Sequence, residues 1–341
     1  MTMAPVQLRL ATRKDGTRDG ALMLVSASRQ HWAPASGSAK TLQALLDDWD
    51  TLAPELEQRC RALDASGWSG AQAFEASNCM APLPRAYQWA DASVYRNHAR
   101  LIYQWRQEPI PPRYEEEPLV YQGGSDGMLG PEDPIVAVDE AHQIDLEAEI
   151  AVITRDVPMG VSAAQAADRI ALVVLLNDVS LRGLIPGELA RGFGFYQSKP
   201  ATSFAPIAVT PAALGAAWKG FMLDLPVRIA LNGERFGQPH ANTETLFNFA
   251  QIIAHLARTR SLAAGSIVGA GTISNADPAT GSACITEARV RQMLGGVAQA
   301  DLHPYLRHAD RVRIEVLDGA GKTVFGAIDQ AVDVRGAGPQ A

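Results

Sequence analysis

Asp145-Leu-Glu147-Ala-Glu149-Ile-Ala-Val-Ile153 is the stretch on which the reading of this chain turns. Its charged and apolar residues alternate. Because successive side chains of a strand point to opposite faces, Asp145, Glu147 and Glu149 are expected on one face of one strand. Three like charges on one surface repel each other unless water solvates them or a cation neutralises them. A solvated strand face and a cation site both remain open on this stretch alone. Further along, the apolar run Ala171 to Leu176 ends directly on Asn177-Asp178. A carboxylate at the end of a core strand is either a turn cap or a site residue. Upstream, Asp91-Ala-Ser-Val-Tyr-Arg-Asn-His98 sets a carboxylate and an imidazole near each other with no core pattern demanding either. Hard oxygen donors of this kind suit Mg²⁺, Mn²⁺ or Ca²⁺ better than zinc.

The rest of the chain is that of a packed protein. Its 341 residues correspond to about two domains of ordinary size, and 47% hydrophobic with 20% charged residues is a globular composition. A net charge of −7 has the wrong sign for a protein that works on phosphate backbones or anionic lipid, so neither nucleic acid nor membrane is an expected partner. Apolar runs such as Ile170 to Leu176 fall far short of the roughly 20 residues of a membrane-spanning helix. The start, MTMAPVQLRLATRKDGTRDG, meets charges before a signal-length apolar core can form, and a cytoplasmic location is expected. Cys60, Cys79 and Cys284 are odd in number and widely spaced, which fits neither a disulfide framework nor a cysteine zinc site.

Strand-like runs dominate from about residue 119 to 337, at 144–153, 171–177, 206–209, 227–231, 266–269, 312–317 and 323–328. Helical intervals at 162–170, 245–257 and 297–308 make the expected class α+β, mostly β. Asn232-Gly233 and Asp318-Gly319 signal type I′ hairpins. Toward the amino terminus, 6–10 and 20–26 read as a hairpin, and the Leu42, Leu45, Leu46, Trp49, Leu52, Leu56 spacing reads as a helix or helix pair over 41–63. The prolines of Ala81-Pro-Leu-Pro84 mark a linker, dividing the chain into a small α+β domain over 1–82 and a larger domain over 83–337. Residues 108–118, rich in proline and charge, are expected as an ordered loop or lid base, and Glu115-Glu-Glu117 within them as solvated.

Taken in order, Asp91…His98, Asp145-Leu-Glu147-Ala-Glu149, Asn177-Asp178-Val-Ser-Leu-Arg182, Lys199 followed by Ser203-Phe-Ala-Pro206, and Gly271-Thr-Ile-Ser274 resemble the motifs of the fumarylacetoacetate hydrolase family, over roughly residues 85 to 330. LATRKDGTRDG leading into a strand is similar to the small domain of the longer, two-domain bacterial members. The resemblance implies a mixed β-sandwich roll as catalytic domain and a homodimer. It implies Asp91, Glu147, Glu149 and Asp178 as metal ligands, with Mg²⁺, or Ca²⁺ or Mn²⁺, as cofactor. It implies His98 as general base, Glu287 as the acid that orients it, and Arg182 and Lys199 as catalytic and substrate-binding cations. Tyr121 and Thr272 are implied as substrate contacts. One position departs from the pattern: a Gln three residues after the Arg is here Ile185, so the resemblance leaves the substrate undefined.

The chemistry so implied is hydrolysis of the carbon–carbon bond of a 1,3-diketo acid, with fumarylacetoacetate, fumarylpyruvate or another acylpyruvate as substrate, in degradation of aromatic amino acids and other aromatic compounds. A Lewis-acidic cation and fixed positive charges stabilise the departing enolate, and an imidazole near neutral pKa moves the protons. Two other readings keep the scaffold: decarboxylation, tautomerisation or hydration of a 2-oxo acid, or a non-catalytic metal-binding protein. Intact His98, Arg182 and Lys199 argue against the last. Bland readings also stand. Arg182 and Lys199 pair on a surface, Tyr121 only packs, and Trp49, Trp89 and Trp105 anchor a core or interface. His31, His142, His240, His255, His303 and His308 are packed or surface residues.

Overall fold

The computed structural model describes residues 6–35, 37, 39–65, 68 and 70–336. Residues 1–5 and 337, the ends of the expected two-domain division, lie outside them. The strand Ile170–Asn177 is buried at every position, which requires cover on both faces. It lies inside an eleven-stranded sheet. From one edge the order runs Gln72–Ala73, His31–Pro34, Ala21–Val25, Arg9–Arg13, Ala208–Val209, Ile170–Asn177, Ala148–Thr154, Ser266–Gly269, Gln88–Ser93 and Leu119–Gly123, with Ser203–Phe204 also paired to Ile170–Asn177.

Alternation along these strands feeds two cores. Val173, Leu175, Ile150 and Val152 face a second sheet of five strands, where they meet Val312, Ile314, Val316 and Phe325. Leu172, Val174 and Ile153 point the other way, against the helices Leu42–Asp47 and Trp49–Asp64 through Leu45, Leu46 and Leu56. The fold is therefore α+β, dominated by strand, a sandwich with a small amino-terminal domain whose two helices lie on its outer face. The expected amino-terminal hairpin forms as Arg9–Arg13 with Ala21–Val25, and Arg9 pairs with Val209, so this small unit continues the main sheet. Asn232 and Gly233 both take positive φ, 51° and 84°, as a type I′ turn requires.

Several expectations are corrected. The stretch 144–153 is two strands, Ile144–Asp145 and Ala148–Thr154, because between them the Glu147 N–H donates to the Asn177 side chain at 3.0 Å instead of to a ladder partner. Asp145 consequently leaves the face expected to hold all three carboxylates. Residues 297–308 hold only a short 3₁₀ turn, Gln299–Asp301: Pro304 has no N–H to give a helix, and the Leu306 N–H bonds the Ile144 carbonyl at 2.9 Å. The Asp318-Gly319 hairpin exists, but its turn is longer than two residues, and Asp318 Oδ1 accepts from the N–H groups of Ala320 and Lys322, both at 2.9 Å. The strand Gln88–Ser93 and the helices Arg96–Arg106 and Ile285–Leu294 had no counterpart in the sequence reading.

Candidate active site

Neighbouring strands of the main sheet bring the acidic residues together. Gln88–Ser93 runs parallel to Ser266–Gly269 with Asp91 opposite Gly269, and Glu149 lies opposite Leu176, two residues before Asp178. Carboxylate oxygens of Asp91, Glu149 and Asp178 lie within 4.8 Å of one another, and all three residues are buried. Gly269 makes this packing possible, since a Cβ there would sit 2.2 Å from Asp91 Oδ1. The same oxygen accepts from the Gly271 N–H at 3.0 Å. Gly271 has φ +85°, and a Cβ on it would lie 2.3 Å from the Ala92 carbonyl oxygen, so glycine is required twice over.

Neither carboxylate oxygen of Glu149 has a hydrogen-bond partner, although the residue is fully buried. An unpaired buried carboxylate is costly and takes up either a proton or a cation. Burial, and then the charge of Asp178, raises the Asp91 carboxyl well above its usual range; burial, and then Asp91, does the same to Glu149. Five carboxylates (Asp91, Asp145, Glu147, Glu149, Asp178) face the two cations Arg182 and Lys199, an excess of three negative charges. A small, closed set of hard oxygen donors with this excess fits a divalent cation of the Mg²⁺, Mn²⁺ or Ca²⁺ kind.

Glu147 is placed differently from the other expected ligands. Its Oε1 accepts from Arg182 Nη2 at 2.7 Å and from the Thr272 hydroxyl at 2.5 Å; its Oε2 accepts from Lys199 Nζ at 2.5 Å and from the Ser180 hydroxyl at 2.9 Å. Burial pushes its carboxyl up, but Arg182, Lys199 and these hydrogen bonds outweigh burial and hold it well below the usual range. Lys199 also donates to Asp178 Oδ2 at 2.6 Å, and Thr202 donates to Asp178 Oδ1 at 2.8 Å. Buried Lys199 and partly buried Arg182 are thus ion-pair partners within the site rather than surface cations. The Tyr121 hydroxyl donates to Asp178, and the Lys199 ammonium lies 5.0 Å from the Tyr121 ring centroid.

His98 stands in the first turn of Arg96–Arg106, with Nδ1 3.3 Å from Glu287 Oε2. Glu287 is fully buried in the first turn of Ile285–Leu294, and Arg291, one turn on, binds its other oxygen at 3.0 Å. Burial raises the Glu287 carboxyl, yet His98 and Arg291 bring it below its usual range. Asp91, His98, Tyr121, Glu147, Glu149, Arg182, Lys199 and Thr272 all line one cavity of about 840 Å³. Trp89 is core, whereas Trp105, read as a core or interface anchor, is 44% exposed on the cavity wall.

Asp145 has a place that sequence alone does not reveal. It accepts from the Ile285 and Thr286 N–H groups at 2.7 and 3.0 Å, capping the helix that carries Glu287, and its Oδ2 accepts from Arg182 Nε at 2.8 Å. One carboxylate therefore fixes both the cation and the helix behind the imidazole. The missed helix had a signal, the Glu287–Arg291 pair one turn apart before Gly295-Gly296, while Asn177 and Thr202 had none.

Comparison with known proteins agrees with this architecture. Residues 88–333 match the family model described as fumarylacetoacetate (FAA) hydrolase C-terminal, and residues 8–85 match fumarylacetoacetase N-terminal domain 2. A 2,4-didehydro-3-deoxy-L-rhamnonate hydrolase of Sphingomonas is 30% identical over 168 residues, covering 48% of this chain and about half of that one, 54%. Maleylpyruvate hydrolase of Sphingobium, crystallised with manganese(II) and pyruvate, superposes with a TM-score of 0.63 at 15% identity over 96% of this chain and 100% of that chain. A 2-hydroxyhepta-2,4-diene-1,7-dioate isomerase of Mycobacterium marinum superposes with a TM-score of 0.59 at 15% identity over 98% and 100%. Among the described residues no helix is long and apolar enough to cross a membrane. With residues 8–85 and 88–333 matched to its two domain models, the protein belongs to the fumarylacetoacetate hydrolase family.

Proposed function

We propose that the protein is a divalent-metal-dependent hydrolase that cleaves the carbon–carbon bond of a 1,3-diketo acid of the fumarylacetoacetate or acylpyruvate type. The observation that carries this reading is the unpartnered Glu149 carboxylate between Asp91 and Asp178, in the same cavity as His98, which Glu287 backs from behind. Asp91, Glu149 and Asp178 would hold the cation, with Glu147 as a fourth donor once Lys199 and Arg182 turn from it toward substrate oxygens. When bound, the cation supplies Lewis acidity toward the diketone oxygens.

The chain's own residues do the rest. His98 removes a proton from water, and the oxygen adds to the acyl carbonyl carbon. The bond to the methylene carbon then breaks, its electron pair forming an enolate whose charge Arg182 and Lys199 neutralise. His98 returns its proton to the methylene carbon, so that diketone plus water gives one carboxylic acid and one methyl ketone. Glu287 keeps the ring oriented, with Arg291 holding the carboxylate in place. Decarboxylation or tautomerisation needs no attacking water, so the His98–Glu287 pair favours hydrolysis. We also propose Mg²⁺ as the working metal and a homodimer as the assembly.

The test is loss of diketone absorbance on adding fumarylacetoacetate and acylpyruvates to purified protein, with Mg²⁺ and with EDTA. Metal-dependent loss with the two expected acids as products supports the proposal. Turnover indifferent to EDTA, or a decarboxylated or isomerised product, overturns it.

A further inference from the structure

The cavity changes character between floor and mouth. Its floor is the buried ionic cluster. One wall is the helix Arg96–Arg106, where His98, Ile102 and Trp105 share a face. At about 1.5 Å per residue, Trp105 lies about 10 Å beyond His98 along the axis. Its 44% exposure marks the mouth. A second wall starts at partly buried Arg182 and continues through the helix Ile185–Leu189, with exposure rising from 7% at Ile185 to 42% at Leu189. Phe195 closes the lining, its ring edge-on to Tyr121 at 5.3 Å between centroids.

Cations along this path are accounted for. Arg182 is bound by Asp145 and Glu147, and Lys199 by Glu147 and Asp178, all at the floor. At the rim the described lining residues supply one cation, exposed Arg106, with Glu108 beside it in the lining. A carboxylate at the far end of a substrate would lie against Ile102, Trp105, Ile185 and Leu189.

From this gradient, and resting on the hydrolase reading above, we infer that the substrate is a monocarboxylate: a 2,4-dioxo acid with its carboxylate at the floor and an uncharged alkyl or aryl acyl group at the mouth. Dicarboxylates such as fumarylacetoacetate and fumarylpyruvate are then poor substrates. Cleavage adds water to the acyl carbonyl, releases the acyl group as a free acid, and leaves pyruvate after protonation of the methylene carbon.

The experiment compares 2,4-dioxononanoate with 2,4-dioxononanedioate, equal in length and differing at the far end, on the full chain loaded with Mn²⁺. A methylene in an apolar pocket is worth roughly tenfold or more in specificity, so kcat/KM for the monocarboxylate should exceed that for the dicarboxylate at least tenfold. Leu189→Arg, at an exposed position, should narrow the ratio about tenfold by placing a cation at the mouth. Equal or better turnover of the dicarboxylate overturns the inference and leaves hydrolysis standing. Calorimetric binding of the uncleavable 2-oxononanoate and 2-oxononanedioate separates the other failures. Tighter binding of the monocarboxylate without turnover of either diketone supports the pocket inference and overturns the hydrolase reading; binding of neither acid overturns both.

Discussion

Glu149→Gln tests the metal assignment without depending on a substrate. The replaced carboxylate is fully buried, its oxygens have no donor, and Asp91 and Asp178 crowd it. A cation present at 100 times its dissociation constant stabilises the native state by about 2.7 kcal/mol. Unfolding entropy near 60 °C is about 2.1 cal/mol/K per residue, which over this chain is about 0.7 kcal/mol/K, so saturating metal should raise Tm by about 4 °C. Thermal unfolding of EDTA-treated protein, with and without Mn²⁺, reads this directly.

In Glu149→Gln the shift should vanish, while the metal-free variant at pH 8 should melt at or above the metal-free wild type, because a buried like charge has been removed. The pH sign follows from the raised carboxyls of Asp91 and Glu149. At these two carboxyls the folded state binds more protons than the unfolded one, so their contribution to metal-free stability is full below the unfolded values near 4 and is lost as pH rises above them. Metal needs both groups ionised, so its Tm increment should be larger at pH 8 than at pH 5. An equal increment in variant and wild type, or none in the wild type, would refute the reasoning.

Four further outcomes are expected. His98→Ala should lower kcat/KM by about 10²–10⁴ while leaving the Mn²⁺-induced Tm increment intact, and loss of that increment would remove His98 from the role of base. Glu287 has a depressed carboxyl, so it contributes stability above about pH 4.3 that is lost as pH falls through its folded value; Glu287→Gln should flatten the acid limb of Tm against pH, and an unchanged slope would contradict the His98 and Arg291 pairing. Asp145→Asn removes charge-assisted bonds to Arg182 and to the first turn of Ile285–Leu294. A cost of about 1.5–3 kcal/mol predicts a Tm lower by about 2–4 °C, and a change under about 0.5 °C would refute it. Gly269→Ala places a methyl group 2.2 Å from Asp91 Oδ1 and 2.6 Å from the Trp89 ring, so Mn²⁺ affinity by calorimetry should fall at least tenfold, and unchanged affinity would show that the carboxylate can move aside.

Strands of the large domain were legible because their residues obey local rules. Ile170–Asn177 is a continuous apolar run of the length a doubly covered strand takes, and Asn232-Gly233 is a dipeptide that tolerates two positive φ angles. Where local rules mislead, a distant partner is the reason. Residues 297–308 have helical spacing but hold Pro304 and pair with Ile144, and 144–153 alternates like one strand but is broken by the Asn177 side chain.

The same division holds at the site. Sequence by itself determined which residue types are available, their order along the chain and the family they resemble, because covalent order and side-chain chemistry belong to the chain. Only tertiary structure decided that Asp91, Glu149 and Asp178 converge while Glu147 faces Lys199 and Arg182. It also decided that Asp145 caps a helix 140 residues away, and that the cavity passes from an ionic floor to an apolar mouth. Burial and like-charge repulsion act between atoms close in space, and the contacts that create them here join strands and helices far apart in sequence.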